Sequence, residues 1–456
     1  MEKIILQNIC LPDASLPCPP QFWRRGEVEG GGTGFTLNHG DRVDFDGFAN
    51  LLNLGLWTEM GDLGGISLGL AGAGVIRVEV LAQSRADRVA QRLTMAEITL
   101  DQSGVDLPVA PHDRQSILTL RIECVSKTAQ VSQASWLGQT VPKPAPKLAI
   151  IITTFHREAQ LRETAARLSA FLSDQEAILP KAHLFIVDNG QSVDLPPHPK
   201  REVIASRNLG GSGGFARGLA EARRAGFSHC VFMDDDAAAP MENLIRIAAA
   251  FRAARDPKLA IAGTMIAREQ PDQIWENGAY FDRVCHPQFS GVCLTDGAAL
   301  AKFEFERMAP PDTALAYGGW WCFAFPIDAV VHDPFPFFLR GDDSAFCLSN
   351  GFTLRTLSGV FSVQDGFGAK ETPVTRYLDL RYHLAHHLMH PKLEIGALRS
   401  AGVALRLILR SVARMHYASA MAELAAWRSL FQADRSYPPA LDIAKLVDDL
   451  APETGS

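Results

Sequence analysis

Two periods of apolar residues divide this chain. Up to about residue 147 the apolar positions come in short runs broken by Gly and Asp: Gly34-Phe-Thr-Leu, Val43-Asp-Phe-Asp-Gly-Phe, Gly74 to Leu81, Ala96-Glu-Ile-Thr-Leu and Ser116 to Cys124. Within the third run Ile76, Val78 and Val80 alternate with Val75, Arg77 and Glu79, the period of a half-buried strand. Several short strands separated by turns predict a β-sandwich over residues 1–147. Thr140-Val-Pro-Lys-Pro-Ala-Pro-Lys147 carries three prolines in eight residues and reads as a semi-rigid linker and domain boundary. The pattern then changes to continuous apolar runs, Leu148 to Phe155, Leu184 to Gly190, Glu202-Val-Ile-Ala and Cys230-Val-Phe-Met, with helical spacing over His156–Leu172. Such strands alternating with helices predict an α/β domain over 148–375, with a doubly wound, largely parallel sheet that binds ligands at the strands' carboxyl ends. Residues 376–456 read as helices.

At 456 residues and 47% hydrophobic content the chain can bury two or three cores. A net charge of −7 with no long basic run argues against nucleic acid as a partner. No apolar run reaches transmembrane length and the start is not a secretory signal, so the expected location is the cytoplasm or the inner face of its membrane. Eight cysteines without a CxxC pair are expected to be reduced. Phe22, Phe35, Phe45 and Phe48 are expected in the sandwich core; Trp23 and Trp57 could be core or sugar-facing.

The chemistry gathers at strand ends. Asp234, Asp235 and Asp236 follow the apolar run Cys230–Met233. Three adjacent carboxylates resist burial, and become reasonable around a hard divalent cation such as Mg²⁺ or Mn²⁺ that shares its oxygen ligands with a substrate's phosphates. Thr154 and Asp188 fall at equivalent strand ends. Upstream of the triplet, Gly210 to Gly218 holds five glycines in nine residues before a helical pattern, a place where amides can receive an anion; it is neither a Walker A loop nor a dinucleotide fingerprint. Glu276 follows Trp275, Trp320 and Trp321 follow two glycines, and Asp342-Asp343 ends another apolar run. One of that last pair would suit a helix N-terminus. His383 and His387 have zinc-pair spacing without an HExxH glutamate, and are read as solvated or supporting residues. Arg406, Arg410 and Arg414 share a helix face in the amphipathic stretch 396–431. The default reading packs that stretch on the preceding domain; the alternative lays it on an anionic membrane.

With these pieces in place, residues 148 to about 385 resemble the family 2 inverting glycosyltransferases of the GT-A fold. The matching pieces are Ile-Ile-Thr-Thr-Phe-His-Arg157, Val-Asp-Asn-Gly190, Asn-Leu-Gly-Gly-Ser-Gly-Gly-Phe-Ala-Arg217, Met-Asp-Asp-Asp236, Trp320-Trp321 and Arg-Gly-Asp-Asp343. Within the family the chain looks most like the cell-wall galactofuranosyltransferases that carry an N-terminal β-sandwich and a C-terminal helical extension. The resemblance implies a UDP-sugar donor, best galactofuranose, and a glycan or lipid-linked glycan acceptor, with a homo-oligomer left open. Thr154, Phe155, Arg157, Asp188, Arg207, Asn208, Gly210, Gly211, Gly213 and Asp235 would hold the nucleotide and donor. Asp343, or else Asp342, would be the catalytic base. Glu276, Trp320 and Trp321 would shape the sugar and acceptor pocket. Asp234 and Asp236 would hold Mn²⁺ or Mg²⁺. Where the family often supplies a metal-binding His, this chain has Gln364 or Asp365, both oxygen donors; Ser344 stands where an acid often follows the Asp pair. A nucleotidyltransferase acting on sugar phosphates and a non-catalytic carbohydrate-binding protein are the rival readings.

Overall fold

The computed structural model describes residues 1–87, 89–110, 112–308, 316–367 and 371–432. The N-terminal region is an antiparallel β-sandwich whose two sheets share one long strand, Leu63–Gln83. Its first half pairs with Val105–Pro108 and Thr128–Thr140, its second half with Gln91–Leu100 and Ile117–Cys124. The switch falls at Gly74, where φ is +102° and a Cβ would press on the Thr128–Ala129 backbone, so only glycine turns the strand there. Ile76, Val78 and Val80 face inward, while Arg77 and Glu79 pair outward with Glu123 and Arg121. Phe22, Phe35, Phe45 and Phe48 are core, and so are Trp23 and Trp57, which closes the sugar-facing option for those two indoles.

After Val141–Lys147, which form neither strand nor helix, the chain enters a mixed sheet. Its parallel half runs in the order Arg201–Ala205, His183–Asp188, Leu148–Thr154, His229–Asp234. The other half adds antiparallel Phe323–Pro326 and then Leu259–Ala267, which is flanked by Ile274–Glu276 and by the parallel strand Thr353–Gln364. Helices Glu158–Asp174 and Gly210–Arg224 follow the first and third parallel strands.

The proline-rich segment does not act as a spacer between separate bodies. One apolar core runs from Trp57 and Trp136 of the sandwich to Ile150 and Met233 of the α/β sheet. A buried polar network crosses the same boundary. Glu242 accepts from the Asn8 amide nitrogen at 2.6 Å and from Asn8 Nδ2 at 2.9 Å, and Arg246 donates to the carbonyls of Ala49 (2.7 Å) and Ser358 (2.9 Å). Buried charges that find these partners across the boundary fix the two halves in one register, although Arg246 Nε itself has no hydrogen-bond partner.

Helices Pro373–Met389, Ala397–Ala413 and Tyr417–Gln432 close the described chain around a small core that includes Leu380, Leu384, Val403 and Ala426. Among the described residues no helix is long and apolar enough to cross a membrane, and all eight cysteines are free.

Candidate active site

The parallel register sets Thr154 beside Asp188 and Thr153 beside Asp234, so the strand ends form one ledge. On it Thr154 Oγ1 donates to Asp235 Oδ2 at 2.7 Å. Arg157 bridges two members of the acidic triplet, reaching Asp235 Oδ1 at 3.1 Å and Asp236 Oδ2 at 2.8 Å. Burial pushes the Asp235 carboxyl up, and the Thr154 hydroxyl and Arg157 guanidinium pull against it. Phe155 stays about half exposed at 47%, its ring 4.2 Å from that of His156, and leaves a free aromatic face. His156 and Gln191 hold φ near +54° and +52°, left-handed geometry that non-glycine residues keep only when their surroundings impose it.

Asp188 is already busy: its two oxygens accept from the amides of Gly190 (3.0 Å) and Val193 (2.7 Å) and fold the loop after the strand. Asn189 was not singled out by sequence reasoning. Its amide nitrogen donates to Thr153 Oγ1 and to the Gly210 carbonyl, while its Oδ1 is buried without a partner. The signal lies in Val-Asp-Asn-Gly190, where the amide follows the strand-end acid directly.

The glycines divide their work. Gly210 has φ +72°, and a Cβ there would run into the Phe338 carbonyl. Gly214 and Gly218 bring their helix down onto Thr153 and Ile151 of the central strand. Gly213 has Leu209 in its Cβ position, so of the glycines proposed to receive the nucleotide Gly211 has the most room, with Asp342 Oδ2 3.9 Å from where its Cβ would stand. The main observed work of this loop is therefore close packing: it docks a helix start onto the segment Phe335–Gly341, where Ser212 Oγ also donates to the Phe335 carbonyl. Arg207 and Asn208 are exposed beside it, and Asn208 Oδ1 accepts from the Gly210 amide.

That segment delivers Asp342 and Asp343 as the first residues of helix Asp342–Asn350. Phe338, Arg340 and Gly341 all have positive φ, and the Tyr382 ring fills the space where a Gly341 side chain would be. Asp343 Oδ1 accepts from the Ser344 amide at 2.7 Å. Burial pushes both carboxyls up; for Asp342 the nearby Asp343 and Asp234 add to it, whereas Ser344 and Arg340 oppose it for Asp343. Glu276 completes the group. It is buried, Oε1 has no hydrogen-bond partner, and burial together with Asp343 pushes its carboxyl up to about 8. Asp234, Asp342, Asp343 and Glu276 thus share one charge environment although they come from three separate stretches of the sequence.

The structure narrows three expectations. Trp320 and Trp321 are both buried and belong to different cores, Trp320 edge-on to Phe215 and Phe232, Trp321 donating to the Gly263 carbonyl at 2.9 Å; neither offers the open face of a sugar platform. Asp365 turns outward to Arg268 (3.1 Å), which leaves Gln364 as the inward oxygen donor. Of the two readings of His383 and His387, the supporting one holds: both are buried and bond to backbone groups of Asp379, Cys285, Leu393 and Arg283.

No three His, Cys, Asp or Glu side chains among the described residues group as a metal site. The donor set still fits a hard cation through mixed oxygens. Gln364 Oε1 is buried and unpartnered, and Val363 pairs through both backbone groups with Ala238, which joins that strand end to the acidic triplet's loop.

Residues 144–354 match a protein family described as glycosyltransferase like family 2. The galactofuranosyltransferase GlfT2 of Mycolicibacterium smegmatis is 26% identical over 356 residues, which are 69% of this chain and 54% of that protein. The galactofuranosyltransferase GlfT2 of Mycobacterium tuberculosis is 25% identical over 390 residues, 76% of this chain and 59% of that protein. The chain therefore spans little more than half the length of these curated relatives. Among solved structures, the glucosyl-3-phosphoglycerate synthase of Mycobacterium tuberculosis aligns over 52% of this chain and 78% of its own, with 10% identity and a TM-score of 0.32.

Proposed function

From a chain that carries a family 2-like glycosyltransferase domain of GT-A fold, we propose an inverting, metal-assisted transfer of a sugar from a UDP-sugar to a hydroxyl of a growing glycan or lipid-linked glycan, carried out in the cytoplasm. Galactofuranose is the favoured sugar, because both curated relatives are galactofuranosyltransferases. The single observation that carries the reading is the meeting of two carboxylate groups at one ledge: a triplet held by Arg157 and Thr154, and a partly buried pair next to Glu276.

In this reading the Phe155 ring stacks on the base, and Arg157 and the Gly211 backbone face the diphosphate. Asp234, Asp236 and Gln364 Oε1 would hold Mn²⁺ or Mg²⁺, which when bound neutralises charge on the diphosphate leaving group. Asp343 takes the proton of the acceptor hydroxyl while that oxygen forms its bond to the anomeric carbon. The bond from that carbon to the diphosphate breaks in the same displacement, UDP leaves, and the anomeric configuration inverts. Positioned base catalysis of this kind contributes roughly 10²–10⁴-fold. Glu276, protonated at neutral pH by its dry surroundings, can donate from its unpartnered side to a sugar oxygen.

A panel of UDP-sugars assayed for UDP release, with and without Mn²⁺ and with glycan acceptors, tests the reading. Acceptor-dependent UDP release from UDP-galactofuranose is the expected outcome. Release of pyrophosphate, or glycan binding with no turnover of any donor, would contradict it.

A further inference from the structure

Helix Ala397–Ala413 carries two apolar stripes, and the fold uses one of them. Val403, Ala404 and Ser411 turn inward onto the neighbouring helices. On the opposite side Leu398, Leu405, Leu409 and Val412 fall within one narrow arc of the helix, and they are 91%, 50%, 55% and 41% exposed. The default expectation that this segment packs its apolar face on the preceding domain therefore accounts for half of what the helix presents. Met415, in the turn that follows, is 75% exposed.

Charge selects the occupant. Arg399, Arg406 and Arg410 line one edge of the exposed stripe, and all three are exposed. Between Gly396 and Gln432 there are five arginines and a single acid, Glu423, which is buried, in a chain whose net charge is −7. A lone row of aliphatic side chains beside long cationic ones has no groove to receive a protein. It matches the boundary of a bilayer, where the aliphatic row enters the acyl region and guanidiniums reach up to anionic headgroups. The same helix stands close to the catalytic loop. Arg410 is among the charges that act on Asp379, and Asp379 lies 3.8 Å from Arg340, the residue whose charge acts on Asp343.

We infer that the exposed Leu398–Val412 face binds an anionic lipid surface in the plane of the membrane, and holds the catalytic loop near that surface. The test is co-sedimentation of the full chain with phosphatidylcholine vesicles and with phosphatidylcholine–phosphatidylglycerol vesicles, at low and high salt. Binding should be strong only to the anionic vesicles and should weaken with salt. Arg399→Gln with Arg406→Gln should lower partitioning roughly 30-fold, and Leu405→Gln with Leu409→Gln at least tenfold. Both double variants should keep an unchanged thermal midpoint and unchanged turnover on a short soluble acceptor. Equal binding to neutral and anionic vesicles would overturn the inference. So would binding by the full chain that survives both double variants. Failure of the full chain to bind, with binding gained on removal of residues 433–456, would assign the face to that segment instead. A change of oligomeric mass in the leucine variant with no change in vesicle binding would assign it to a second copy.

Discussion

The acidic triplet and the Asp342–Asp343 pair are both clusters of carboxylates, and the protein treats them in opposite ways. Asp235 and Asp236 are met by a guanidinium and a hydroxyl within 3.1 Å, so their charge is partly offset before any ligand arrives. The pair is met by helix-start donors, with Arg340 at greater remove, while Asp234 presses further negative charge on Asp342. A cluster offset in this way and still net negative suits the holding of a cation that carries a diphosphate. A cluster kept partly unbalanced suits a group that must gain and lose a proton.

The sharpest way to break this contrast is Asp343→Asn. Turnover should fall by about 10²–10⁴-fold while affinity for the intact UDP-sugar, measured by calorimetry without acceptor, stays within about twofold. Gly210→Ala comes next. It forces a side chain into left-handed backbone and against the Phe338 carbonyl, so it should cost about 1–3 kcal/mol in urea unfolding and lower turnover by displacing the loop that delivers the pair. Gly211→Ala, with room for its methyl, should leave stability nearly unchanged. Arg157→Leu should weaken UDP-sugar binding roughly tenfold and leave the acid limb of turnover in place, because it unbalances the triplet alone.

Two smaller effects concern stability and pH. Glu276 has a folded-state carboxyl raised to about 8, above its unfolded value. Its contribution is therefore fully present below about pH 4.5 and is lost as pH rises toward 8. Glu276→Gln should flatten that decline in denaturation curves taken from pH 5 to 9. His386 behaves in the opposite sense. It is buried against Phe281, Phe337 and Tyr382 with neither ring nitrogen partnered, and burial holds its imidazole well below the usual range. Its neutral form is the stable one, so this contribution is present above about pH 6.5 and falls away as pH drops. His386→Phe should reduce acid sensitivity between pH 6.5 and 5.

Much of the frame was legible because it rests on period and punctuation. The alternation at Val75–Val80 and the uninterrupted runs at Leu148 and Leu184 gave strands where strands are found, and the strand-end placement of Thr154, Asp188 and Asp234 follows from parallel register. What stayed hidden depends on long-range closure. The strand Leu259–Ala267 is central to the second half of the sheet, yet its neighbours arrive from residues 274, 323 and 353 onward. The fate of Trp320 and Trp321 turned on which core each indole met. The glycines read as a phosphate cradle, because nothing local shows that the Phe338 loop presses against Gly210. Glu276 was placed in the pocket by resemblance, but its raised carboxyl comes from the fold that buries it and from the charge of Asp343.

The central claim is that one carboxylate cluster holds charge and the other moves a proton. The direct measurement is the pH dependence of turnover and of UDP-sugar affinity, taken side by side on the full chain. The account predicts that turnover falls on the acid side with a midpoint above the ordinary carboxylate range, because Asp343 must be ionised to act and burial raises its carboxyl, while donor affinity stays flat across the same interval. Turnover and affinity falling together, or a turnover with no acid limb above that range, would contradict it.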